Sequence, residues 1–377
     1  MMEVFRGLHS KFVGLFDTLD RDLKCDVQQA EDDLEAHFHC VELVLHKTAL
    51  PSIAPRVKYS LQRFCDISSL LAVLRQPTDT LADTSKNKLE VWQDLKVLSF
   101  ARACAAVLSL TIVSMQMRTM LTVLSRQLFL ERAMSGTKAG EGWPALGIEA
   151  QEFFLSLVEK GFGYGGIQQL VSVVKETTHE RIGDVALSKT MTKHDLRSVL
   201  TDLKKKTVPK VVRRGGDLKV GGGLETDEVT DVTSTPNTSV LSQSLLPSNE
   251  VVAEMWLQRV AANANAGSSD VGTNETYVAR DSKTLDLILC MVTEMRTVVS
   301  SGGFIHALED AIGRAWNVFM ELADEDLYEV KEIDAMPVAK LVPALSNLSG
   351  EILNAPDAFF GAVASSPKVL ELTREMW

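Results

Sequence analysis

At 377 residues, with 45% hydrophobic and 24% charged side chains, the chain has enough apolar material for one large core and too little charge to remain unfolded. Its net charge of −11 and pI near 5.2 argue against a nucleic-acid binder, whose binding face must be basic. Five scattered cysteines, an odd number, read as reduced thiols rather than a disulfide framework.

The first twenty residues, MMEVFRGLHSKFVGLFDTLD, place Phe5, Leu8, Phe12, Leu15, Phe16 and Leu19 at spacings of three and four. On a helix these six share one face, with Glu3, Arg6, His9, Lys11, Asp17 and Asp20 largely on the other. The pattern suits a membrane's headgroup region, and it suits equally a stripe packed on a folded body. Residues 21–47 continue as an acidic amphipathic helix that is expected to stop near Leu50-Pro51. A second helix is expected over 56–75, followed by the polar turn QPTDTLADTSKN.

From Lys88 to about Met134 the sequence predicts one long helix, closed by the Gly- and Pro-bearing SGTKAGEGWP. Its middle, Ala103 to Met117, is uncharged but short of the roughly 20 residues a membrane span needs. Arg102 and Arg118 bound it, so it reads as a core helix. On the charged flank of its first turns stand Lys88, Glu90, Gln93, Asp94 and Lys96, and Trp92 lies at the border with the apolar stripe. A border tryptophan either packs under a loop or anchors a partner's helix.

Further helices are expected over 148–160, 166–181 and 192–206. The stretch from Gly215 to Pro247, rich in Gly, Ser, Thr and Asp, reads as a flexible loop. A short helix at 249–262 interrupts an insertion that extends over about 207–280. Helices return at 283–299, 303–323, 337–353 and 366–376. With no alternating strands and no repeat, the fold class is all-α: an elongated, twisted bundle of six or more long helices. It forms a single domain over 21–377, with the insertion on its surface and residues 1–20 as a separate amphipathic segment.

Motifs with chemical meaning are few. GFGYGG fits G-x-G-x-x-G, but a helical pattern rather than a strand precedes it, so it reads as a turn between helices and not a dinucleotide loop. HFHC, with His37, His39 and Cys40, lacks the spacing and the second cysteine pair of a zinc site. The basic run KKKTVPKVVRR complements a helix C-terminus or faces anionic lipid. No nucleophile elbow, metalloprotease helix or phosphate loop is present. Neither catalytic residues, metal nor cofactor are expected.

Two stretches carry a resemblance. NKLEVWQDLKVLSFAR (Asn87 to Arg102) resembles the most characteristic segment of the peroxin-3 family, and VAKLVPALSNLSGEIL (Val338 to Leu353) resembles its C-terminal segment. Weaker similarity over Ile167–Leu200 and Leu287–Ala323 extends the likeness to most of residues 25–206 and 283–375. The resemblance implies a cytosol-facing docking receptor on the peroxisomal membrane, or on a related organelle such as the glycosome. Its hydrophobic groove would take an amphipathic helix of peroxin-19, the carrier of peroxisomal membrane proteins. It puts Trp92 in that groove, with Lys88 four residues before it, Leu81 and Leu128 as apolar positions, and Lys340 as a contact. Membrane lipids are then the other partner, with residues 1–20 as the contact, and neither nucleic acid nor a small-molecule substrate is implied. A soluble helical scaffold that binds some other amphipathic helix is the alternative.

Overall fold

In the computed structural model the described residues are 38–75, 88–135, 146–212, 245–266, 274–329 and 333–377. They form an all-α bundle around one long helix. Residues 38–44 are helical and pass through a wide π-helical turn, Leu45–Ala49, into α1 (Leu50–Phe64). After it come α2 (Ser68–Arg75) and α3 (Lys88–Ser135). The expected stop at Leu50-Pro51 does not occur. The π turn bonds Leu50 N–H back to Leu45, and Pro51 then falls in the first turn of α1, where no intrahelical donor is needed. The break comes instead at Cys65–Ile67, where the Asp66 carboxylate accepts from the Ser68 amide at 2.9 Å and starts α2.

The 48 residues of α3 give a rod of about 72 Å at 1.5 Å per residue. By composition alone it is long and apolar enough to cross a bilayer, but 83% of its most apolar window is buried. Every residue from Ala103 to Ser125 is buried. Among the described residues nine helices pack against it: α1, α2, α4 (Ile148–Val158), α5 (Ile167–Ile182), α8 (Asn274–Val299), α9 (Gly302–Asp324), α10 (Val338–Asn354), α11 (Asp357–Ala364) and α12 (Pro367–Glu375). Burial on all sides removes the need for an amphipathic pattern, and the helix is correspondingly mixed around its circumference. Three of its buried hydroxyls are satisfied locally: Thr111, Thr119 and Thr122 each donate to the carbonyl four residues back at 2.9 Å.

GFGYGG is not a turn. It lies in a π-helical segment, Glu159–Gly166, that joins α4 to α5 without a break. A Cβ at Gly161 would come within 2.2 Å of the Leu245 carbonyl oxygen, so glycine there admits a neighbouring backbone. That carbonyl also accepts from Gln116 Nε2 of α3 at 2.6 Å. Within the expected 207–280 insertion, α6 (Lys193–Val212) runs six residues further than expected, through Pro209. Residues 245–262 also lie on the body: Leu245, Leu246, Val252 and Trp256 are buried, the last two on α7 (Asn249–Ala266). Residues 213–244 lie outside the described residues.

Two short strands that the sequence pattern does not reveal, β1 (Thr190–Thr192) and β2 (Ala335–Pro337), pair antiparallel with Met191 opposite Met336. Three residues are too few for a period of two to register. Their effect is positional, because they bring the start of α10 against the loop that follows α5.

Candidate partner-binding surface

At the N-terminal end of α3, a small apolar cluster sits apart from the main core. Ile67, Leu95 and Val342 are buried at its centre, and Leu70, Leu71, Leu74, Trp92 and Leu98 cover them. None of the residues of α2 is buried. Eight residues with a half-exposed leucine face are a marginal helix in water, so α2 depends on this contact. Trp92 is half-buried against it. One turn earlier on the same side of α3, Leu89 is 57% exposed. The result is a partly exposed apolar surface that includes Leu70, Leu71, Leu74, Leu89 and Trp92.

A buried lysine fixes the base of this surface. Lys96, one turn beyond Trp92, is fully buried. Its ammonium donates to the carbonyls of Gly183 at 2.9 Å and Val185 at 2.6 Å, and to the Gln93 side chain. Burial pushes its pKa down, and the Asp184 carboxylate opposes that. The sequence pattern puts Lys96 on the solvated flank, and that expectation is wrong. Its acceptors are carbonyls released where α5 ends, 87 and 89 positions away, which no local pattern reports. Lys96→Met is expected to cost about 1–3 kcal/mol, because two half-buried carbonyls lose a charged donor. Chemical denaturation reads this directly.

The same loop brings Lys340 to this end of the molecule. Leu187 and Lys189 accept from the amides of Ala339 and Val338 at 3.0 and 2.9 Å, so the first turn of α10 lies beside the segment that holds Lys96. Lys340 is exposed there, and Val342 of the same helix belongs to the Trp92 cluster. Lys88, partly exposed, opens α3. Lys88 and Lys340 thus lie at the same end of the molecule as the Trp92 cluster. Leu81 and the stripe of Phe5, Leu8, Phe12, Leu15, Phe16 and Leu19 lie outside the described residues.

Leu128 does not join them. It stands 36 positions after Trp92 on one unbroken helix, about 54 Å away along the axis, and packs against the main core. The resemblance puts it in the groove, and one unbroken helix cannot bring the two together. The apolar partners of Trp92 come instead from α2, whose leucines at 70, 71 and 74 could have been found by their helical spacing one turn signal upstream.

Among the described residues no group of three or more His, Cys, Asp or Glu side chains is placed to hold a metal. Cys65 and Cys104 are buried with thiol pKa values pushed up to about 11 and about 12, chiefly by desolvation. Neither is a thiolate near neutral pH.

A family profile described as Peroxin-3 matches residues 52–145, which include most of α1 and all of α2 and α3. The chain is 28% identical over 169 residues to Peroxisomal biogenesis factor 3 of Cricetulus longicaudatus, covering 45% of this chain and 42% of that protein. The Homo sapiens protein of the same name is 27% identical over 169 residues, with the same shares. Peroxisome biogenesis protein 3-2 of Arabidopsis thaliana is 27% identical over 118 residues, 30% of this chain and 32% of that one. The chain spans less than half the length of these relatives, and the part matched by the profile contains Trp92.

Proposed function

We propose that this chain, a divergent member of the peroxin-3 family, is a docking receptor that takes the N-terminal amphipathic helix of peroxin-19 on its Trp92 surface. It would do so on the cytosolic face of the peroxisomal membrane, or of a related organelle such as the glycosome, in support of membrane-protein insertion there. The observation that carries the reading is the half-buried Trp92 on a separate apolar cluster with α2, beside an exposed Leu89 and two cations at one end of the molecule. An amphipathic helix meets such a surface with apolar anchors at i, i+3 or i+4 and i+7, and its acidic flank meets the rim. The chemistry offered is burial and charge steering, with no bond made or broken.

The first experiment is a pull-down of the chain, with Trp92 intact or truncated to alanine, against peroxin-19 and against an unrelated amphipathic helix of equal hydrophobicity. Capture of peroxin-19 alone, dependent on Trp92, supports the docking role. Equal capture of both helices favours a general helical scaffold. Lys88 adds a kinetic reading. Lys88→Glu is expected to slow association at low salt and flatten its salt dependence, with a smaller effect on dissociation, because a rim charge acts on encounter. An association rate equal to wild type at low ionic strength would remove Lys88 from the rim.

A further inference from the structure

The wall that α2 lends to the Trp92 surface is held quite differently from the base beneath it. Leu95 of α3 and Val342 of α10 are buried at that base, and α10 has seventeen residues, eight of them buried. Within α2 no residue is buried. Ser68, Ser69, Ala72 and Arg75 are exposed, and Leu70, Leu71, Val73 and Leu74 are half-buried. A helix of eight residues makes too few internal hydrogen bonds to offset its nucleation, so its population depends on how it is started and what covers it. Asp66 starts it. Its carboxylate accepts from the Ser68 amide at 2.9 Å and its carbonyl from the Ser69 hydroxyl at 3.4 Å. The Leu71 amide then donates to the Ile67 carbonyl at 3.0 Å and closes the first turn. A carboxylate at this end also complements the helix dipole. Asp66 is itself exposed and stands outside the apolar cluster.

We infer, on the docking role proposed for the Trp92 surface, that α2 is an adjustable wall which the partner helix orders as it binds. Asp66 is then a positioning residue: it sets the affinity by starting α2, without touching the partner. Only the molecules with α2 in place offer Leu70, Leu71 and Leu74 beside Trp92. The apparent affinity falls in proportion to that fraction, so a residue that governs the helix governs binding. A partner helix laid across the three leucines covers the face that α2 leaves half-exposed, and that burial supplies what so short a helix lacks. The base stays fixed meanwhile, because Lys96 ties α3 to the Gly183 and Val185 carbonyls. One wall moves and the rest of the site is rigid.

Hydrogen exchange over residues 68–75 of the full chain, free and saturated with the peroxin-19 N-terminal peptide, reads the wall. Titration with the same peptide reads its consequence. In the free chain these amides are expected to exchange within about 10-fold of the unfolded rate, and to slow about 10-fold or more with peptide. Amides of residues 103–125 should not change. Asp66→Ala removes the acceptor that starts the helix, and Ala72→Gly lowers helix propensity at an exposed position. Each is expected to weaken binding about 2- to 6-fold while the melting transition of the body stays in place. Asp66→Asn keeps an acceptor but loses the charge that Asp66 presents to Arg102, and should bind within about 2-fold of wild type. Three results would overturn the inference. They are α2 amides as protected in the free chain as those of 103–125, wild-type affinity in Asp66→Ala and Ala72→Gly, or Asp66→Asn as weak as Asp66→Ala. The last would make the charge beside Arg102 the cause, and not the helix start. A wild-type chain that binds no peptide brings down the docking role and the wall with it, whereas unaltered variants of a chain that does bind remove the wall alone.

Discussion

Replacing Trp92 with alanine is expected to weaken binding of the peroxin-19 helix by about 2–4 kcal/mol, roughly 30- to 1,000-fold in Kd. The melting transition should move by no more than a few degrees. The two halves follow from one arrangement. Trp92 covers a cluster of its own, centred on Ile67, Leu95 and Val342, rather than lying in the main core, whose buried residues on α3 begin at Phe100. Truncation removes the largest side chain from the docking surface and loosens α2, but it opens no cavity in the main core. Fluorescence titration and thermal melting of one variant report both quantities. Unchanged affinity would remove Trp92 from the interface, and a collapsed transition would make it a structural residue.

The second large effect lies in the core. Arg118 is 1% exposed at the middle of α3. Burial pushes its pKa down to about 10, so the guanidinium stays charged near neutral pH, paired with Glu42. Removing one partner of a buried pair leaves a bare charge, at a cost of about 3–5 kcal/mol. Glu42→Ala should therefore destabilise the protein by that amount. The double variant Glu42→Leu/Arg118→Met should recover most of the loss, since an apolar pair of similar volume needs no desolvation. Denaturant midpoints of the three proteins form the cycle. A double variant no better than Glu42→Ala would mean that packing around Arg118, and not its charge, is what Glu42 secures.

The sequence announces its long helix because an uncharged run between two arginines, with capping signals far outside, has few other readings. Lys88–Ser135 lies within a residue of the expected span. Winding is less visible. The π turns at Leu45–Ala49 and Glu159–Gly166 keep an apolar stripe roughly in place, so Pro51 and the glycines of GFGYGG look like stops when the helices continue through them. The glycine at 161 is set by the approach of Leu245, a contact 84 positions away in sequence. Lys96 and Leu128 fail for the same reason from opposite sides. A lysine among polar neighbours looks solvated until its carbonyl partners arrive from another element. The resemblance that puts Leu128 in the groove gives way once the length of the rod is counted. Trp92, Lys88 and Lys340 gather at one end because β1, β2 and the loop after α5 dock there, and two strands of three residues leave almost no trace in a sequence.

The central claim is that the Trp92 end of the molecule receives the partner helix. Hydroxyl-radical footprinting of the full chain, free and saturated with the peroxin-19 N-terminal peptide, tests it most directly. The surface described here predicts loss of oxidation at Leu70, Leu71, Leu74, Leu89 and Trp92, with Phe129, Leu130 and Trp377 unchanged. Protection at Phe129 and Trp377 with Trp92 still oxidised would place the partner at the other end of α3 and contradict the account.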